Sequence, residues 1–205
     1  MSGWRAHTGM ATALDIENVD TDQLIPARFM STPRAKGYGR FLLYDLRFES
    51  DGVPRQEFPL NRHPHVSILV ARRNFGSGSS REAAVYALSD FGIRAVIAPS
   101  FGDIFAANCI NNGLLPAEVG EDAGAGLIHT LGDGQAQLTL NIDTRTITVG
   151  DRSIAFTLSE AAARKLINGW DDVDLTEHHR PAIAAYRARR ATLQPWAFPA
   201  GDTAE

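Results

Sequence analysis

The stretch from His65 to Glu118 limits the possible folds more than any other part of the chain. His65-Val66-Ser67-Ile68-Leu69-Val70-Ala71 is a short apolar, β-branched run of the kind that forms a buried strand. It runs into the polar, glycine-rich segment Asn74-Phe75-Gly76-Ser77-Gly78-Ser79-Ser80. From Arg81 to Phe91, Ala84, Val85, Ala87, Leu88 and Phe91 recur at helical spacing, and Gly92 stops the helix. Arg94 to Ala98 is a second buried strand, Asp103 to Asn111 a second helix, and Asn112-Gly113 turns the chain into Leu114-Leu115-Pro116. Strand, glycine-rich loop, helix, strand, helix, strand is an α/β core with parallel pairing and right-handed crossovers.

The flanks read less sharply. Residues 7–16 form a weak strand, and Asn18-Val19-Asp20-Thr21-Asp22 is a polar turn. Residues 27–40 carry Arg28, Pro33, Arg34, Lys36, Gly37, Gly39 and Arg40 without periodicity, so about 28–39 is expected to be a mobile loop. Leu42 to Phe48 reads as a short strand. Residues 120–134 contain five glycines and read as a break. Gln135–Ile142, Thr146–Val149 and Ser153–Leu158 alternate as strands, making 135–158 a β-rich part. Helices are expected over Ser159–Trp170 and Leu175–Arg190, within a helical C-terminal part spanning 159–190. A length of 205 residues suits a single domain over 1–195, with 196–205 as a flexible tail.

Composition removes several classes of function. Twenty Lys and Arg against 24 Asp and Glu leave a net charge of −4, without the basic stripe of a nucleic-acid or membrane-surface binder. The one cysteine, Cys109, cannot form an internal disulfide, and no cysteine-ligated zinc or iron–sulfur site can be built from this chain alone. There is no apolar run of 18 residues and no apolar leader near Met1, so a cytoplasmic location is expected. Cys109 reads as a buried, inert thiol. Adjacent His178 and His179 point about 100° apart on a helix and read as solvent-facing rather than as a metal pair. Trp170 and Trp196 read as core or subunit-contact anchors.

The segment Asn74 to Glu82 carries the chemistry. It leaves a buried strand and enters a helix, the edge of an α/β sheet where ligands bind. A helix start offers free N–H groups and a positive dipole end. Gly76 and Gly78 permit close backbone approach, Ser79 and Ser80 add hydroxyls, and Arg81 adds a two-pronged donor. A Walker loop fails for want of Gly-Lys-Ser/Thr, and a dinucleotide fingerprint fails because Arg81 stands where the third glycine belongs. A small anion, above all a carboxylate, remains. The competing reading is structural: Ser79-Ser80-Arg81-Glu82 also matches a capping box.

Asn74-Phe75-Gly76-Ser77-Gly78-Ser79-Ser80-Arg81-Glu82 resembles the signature of the aconitase-type swivel-domain family, within it the small subunits of 3-isopropylmalate dehydratases. The likeness extends to His7-Thr8-Gly9, to Asn18 through Phe29, to Asp90-Phe91-Gly92-Ile93-Arg94, to Ile97 through Phe105, and to Asn108-Cys109 through Pro116. The resemblance implies a swivelling β/β/α domain of the aconitase C-terminal type. It implies a hydro-lyase that isomerises 2-isopropylmalate to 3-isopropylmalate by dehydration and rehydration, in leucine biosynthesis. A separate large subunit would carry a four-iron, four-sulfur cluster, and this chain none. By position, Ser79 would be the catalytic base. Ser80, Arg81, Thr21 and Asp22 would bind the dicarboxylate substrate beside Gly76 and Gly78. Arg34, or Lys36, would add a carboxylate clamp from a loop facing the substrate's variable side chain. Two residues depart from the family pattern: Ala83 stands where His is usual, and Ser77 where Cys or Thr is common. The residues leave two alternatives open: the small subunit of another aconitase-like hydro-lyase acting on a citraconate-, maleate- or homoaconitate-like diacid, and a non-catalytic anion-binding module.

Overall fold

A computed structural model describes residues 2–198. In chain order the strands are β1 (Ala6–Leu14), β2 (Ile68–Ala71), β3 (Ala95–Ala98), β4 (Leu115–Glu118), β5 (Gln135–Asn141), β6 (Thr146–Val149) and β7 (Arg152–Ala155). The helices are α1 (Thr21–Leu24), α2 (Tyr44–Arg47), α3 (Pro59–Arg62), α4 (Glu82–Phe91), α5 (Asp103–Asn111), α6 (Glu121–Leu131), α7 (Glu160–Asn168), α8 (Asp172–His178) and α9 (Arg180–Leu193). The strands form one mixed sheet in the order β4-β3-β2-β1-β5-β6-β7. β1 through β4 pair in parallel; β5 joins β1 antiparallel and continues through β6 to β7.

Alternation along the parallel strands divides the core in two. Leu69, Ala71, Val96 and Ala98 face a cluster with Leu24, Phe75, Leu88 and Cys109. Ile68, Val70, Ala95 and Ile97 face another with Leu127, Leu131, Leu138, Leu140 and Leu166. All eight of these strand side chains are buried, which is why strands covered on both faces read as continuous apolar runs.

Four local expectations are corrected. Leu42 to Phe48 is not a strand: a 3₁₀ turn at Gly39–Phe41 leads into α2. Its apolar residues lie at helical spacing, and Tyr44 stacks on Phe48 at 4.6 Å between ring centroids. Residues 120–134 are not a break but contain α6. Glycine costs a helix about 1 kcal/mol relative to alanine, but α6 buries Leu127, Ile128 and Leu131, each a gain of roughly 1.5–3 kcal/mol. Gly124 also lets it approach Pro99, where a Cβ would come within 3.1 Å of the ring. The long C-terminal helix is split into α8 and α9, because Pro181 lacks an N–H and disfavours helix just before it. The capping box at Ser79 does not form: α4 begins at Glu82, with Arg81 as an N-cap that makes no side-chain bond.

Of the anchoring tryptophans, Trp170 is half-buried, while Trp196 is 78% exposed and belongs to no core. His178 and His179 are exposed. Across the start of the expected tail, Pro195–Ala197 forms a 3₁₀ turn, and residues 199–205 lie outside the described part.

Leu69 is completely buried between β1 and β3. Leu69→Ala is expected to lower unfolding free energy by about 2–5 kcal/mol, read by urea denaturation with an unchanged m-value.

Candidate functional site

The site lies where β1 and β2 end. Their parallel register closes at Leu14 opposite Ala71, yet the two chains stay side by side beyond it. Arg72 pairs with Asp15, and Arg73 with Glu17 at 3.1 Å. The Arg72 guanidinium holds the Asp15 carboxyl below its ordinary pKa. Asn18 and Asn74 both adopt positive φ (55° and 59°) and join through their side-chain amides at 2.8 Å. The Gly76 N–H then donates to Val19 O at 2.7 Å, and the Thr21 N–H to Ser77 O at 2.9 Å. The Thr21 hydroxyl donates to Ser79 O at 2.9 Å, and Arg81 pairs with Asp22.

Local order comes from a capping box that sequence reading missed. The Asp20 side chain accepts from the Gln23 N–H at 2.7 Å, and the Gln23 side chain accepts from the Asp20 N–H at 2.9 Å. The Asp-x-x-Gln spacing was its signal. This box starts α1, fixing Thr21 and Asp22 against the 76–81 loop.

Gly76 (φ +73°) and Gly78 (φ +93°) shape that loop. A Cβ on Gly76 would come within 2.2 Å of the Phe105 ring, so the turn folds directly onto α5. Phe75 beneath it is fully buried, edge-on to Phe105 at 5.6 Å. The result is a concavity of 230 Å³ lined by Gly76, Gly78, Ser79, Gly102 and the first residues of α5. Both α4 and α5 start without a side-chain cap, so two positive helix ends border the loop. Ser79 and Ser80 are exposed, and the Ser79 hydroxyl makes no hydrogen bond among the described residues.

Ser79, Ser80, Arg81, Thr21, Asp22, Gly76 and Gly78 therefore share one place. Arg34 does not join them. Its guanidinium grips the Asp90 carboxylate in a bidentate pair at 2.5 and 2.8 Å and lies 4.4 Å from the centre of the Tyr86 ring. Asp90 is eight residues along α4 from its start, on the order of 12 Å away. Lys36 lies near the same end. The 28–39 segment carries 3₁₀ turns at Ala27–Phe29 and Arg34–Lys36. Ala83, the departure from the family pattern, is buried in the first turn of α4.

The residues present do not suit an iron–sulfur cluster. Cys109 is completely buried, with burial pushing its thiol pKa well up. Among the described residues no three His, Cys, Asp or Glu side chains gather closely enough to hold a metal.

Comparison with known proteins matches residues 1–122 to the aconitase C-terminal domain model. The chain belongs to that family, a swivel-type α/β domain recruited to hydro-lyase chemistry. Its relatives narrow this further. A 3-isopropylmalate dehydratase small subunit of Rhodospirillum centenum is 45% identical over 195 residues, covering 93% of this chain and 96% of that protein. The Anoxybacillus flavithermus small subunit is 40% identical, covering 93% and 100%. The crystal structure of a 3-isopropylmalate dehydratase chain from Methanocaldococcus jannaschii superposes with a TM-score of 0.64 at 28% identity, covering 89% of this chain and 99% of that one. The chain is thus a member of the 3-isopropylmalate dehydratase small-subunit family, and a small subunit implies a large one.

Two measurements follow from this geometry. Gly76→Ala combines left-handed backbone with a collision and is expected to cost about 1–3 kcal/mol or more in urea unfolding. Gly92→Ala, also at positive φ but facing open space, is expected to cost only about 1 kcal/mol. Cys109 is expected to resist iodoacetamide in the native protein and to react once the chain is unfolded, followed by mass spectrometry.

Proposed function

We propose that this chain is the small, swivel half of a hydro-lyase that interconverts 2-isopropylmalate and 3-isopropylmalate through isopropylmaleate, with Ser79 as the base. One observation carries the reading: an exposed serine hydroxyl, without an internal partner, stands on a glycine turn between two uncapped helix starts. A serine alkoxide is far too unstable in water to serve as a base. It becomes accessible where backbone N–H groups and helix dipoles already point at the oxygen, and a site closed to water strengthens both.

In this reading Ser79 removes the proton from the carbon next to a substrate carboxylate and returns it during rehydration. Ser80 and Arg81 hold the carboxylate. Arg81 is 21% exposed and paired to Asp22, which leaves other prongs of its five-donor fork for the substrate. Thr21 fixes the backbone at Ser79 through its bond to the Ser79 carbonyl, and Asp22 orients Arg81. Gly76 and Gly78 keep the concavity open to a planar diacid. The loop holding Arg34 and Lys36 is read as facing the variable alkyl group, with Arg34 held on Asp90 and not on a substrate carboxylate.

The iron–sulfur cluster, acting as Lewis acid on the leaving hydroxyl, is assigned to the large subunit. The substrate is a small dicarboxylate, and residues 1–195 act as one swivel unit. No described helix is long and apolar enough to cross a membrane, and we place the enzyme in the cytoplasm.

The test mixes the chain with its cognate large subunit anaerobically. Isopropylmaleate hydration is expected from the mixture and not from the chain alone. Ser79→Ala is expected to lower kcat by about 10²–10⁴ while the complex still assembles on size exclusion. Full activity of Ser79→Ala would remove the base assignment. Turnover confined to a smaller diacid such as citraconate would move the enzyme to a sister hydro-lyase.

A further inference from the structure

Asp90 is the most heavily used carboxylate on the loop side of the molecule. It takes both prongs of Arg34, and the Tyr38 N–H donates to it at 2.6 Å. The structure around it is shaped for this contact. Gly37 turns at φ +72°, where its Cβ would lie 3.7 Å from Asp90 Oδ2, and Gly39 sits so close that a Cβ would meet the Asp90 backbone at 2.6 Å. Tyr38 is buried, and its hydroxyl donates back to Thr32 O at 2.9 Å, closing the segment into a small knot. The Arg34 guanidinium lies 4.4 Å from the centre of the Tyr86 ring of α4 and 5.5 Å from that of Tyr38. Residues 32–39 are therefore docked on the C-terminal half of the helix whose other end carries Arg81.

We propose that Asp90 is a positioning residue that fixes the 32–39 loop on the C-terminal half of α4, with Arg34 as its anchor. This deepens the hydro-lyase reading and rests on it. Arg34 acts through Asp90, because both terminal nitrogens of its guanidinium are already engaged by that carboxylate. α4 is a rigid spacer between the loop and the Arg81 end, so any change at Asp90 is felt as a change in the shape offered to the alkyl group. The proton-transfer apparatus at Ser79 is left in place.

Two arms test this. In the isolated chain, hydrogen exchange followed by NMR is expected to be about tenfold faster at the Tyr38 amide in Asp90→Asn, with Leu69 and Val70 unchanged. An unaltered Tyr38 amide would overturn the anchoring. In the assembled enzyme, Asp90→Asn and Arg34→Ala are each expected to raise KM for isopropylmaleate about tenfold while kcat stays within about twofold. KM for citraconate should move less. The double variant should be no worse than Asp90→Asn alone, because the two residues act as a unit, and Arg34→Lys should fall between wild type and Arg34→Ala. Unchanged KM values, or an equal fall in kcat for both diacids, would overturn the positioning role. If the wild-type complex turns over neither diacid, the hydro-lyase reading fails, and the Tyr38 amide alone then decides whether Asp90 fixes the loop.

Discussion

The site depends on two loops continuing the pairing of the strands they leave. β1 and β2 stop at Leu14 and Ala71, but the chains beyond them stay in contact as far as Asp22 and Arg81. Thr21 and Ser79 are 58 positions apart in sequence and joined by one hydrogen bond. A parallel pair makes this possible, because both chains leave the sheet in the same direction. Had β2 run antiparallel to β1, its following loop would emerge at the opposite edge, and no serine would meet a threonine.

Magnitudes show which contacts hold the pairing together. The Asp15–Arg72 and Glu17–Arg73 pairs are more than a third exposed and contribute about 0–1 kcal/mol each. Beneath them Val19 and Phe75 are fully buried, and a buried side chain of this kind contributes roughly 1.5–3 kcal/mol. The apolar floor supplies rigidity, and the rim charges supply register. Glycine sits where the floor and α5 leave no volume for a side chain.

The parallel half of the fold was legible because strands buried on both faces must be apolar throughout and must be separated by helices. β2, β3, α4 and α5 fall within a few residues of their expected places. The mixed part was harder. α6 contains glycines that read as loop, since the burial that outweighs their cost involves residues distant in sequence. The Leu42–Phe48 segment has too few residues to separate a period of two from one of 3.6. At the site, Gly76, Gly78, Ser79 and Arg81 could be read from one contiguous motif. That Thr21 and Asp22 stand opposite them rested on family likeness, because no local pattern reports a contact across 58 residues. Arg34 shows the same limit from the other side: its charge was visible, and its partner Asp90 was not.

One consequence concerns how such an enzyme can change. α4 is a single rigid rod with glycine on both sides of it: Gly78 four residues before its start, Gly92 directly after its end. In the reading proposed above, acid–base chemistry lies at its head and the substrate-facing loop is moored at its tail. Substitutions that remodel the tail leave the head's dipole and hydroxyl where they were. On that reading, a duplicated gene acquires a new diacid by altering its mooring alone and inherits the reaction intact.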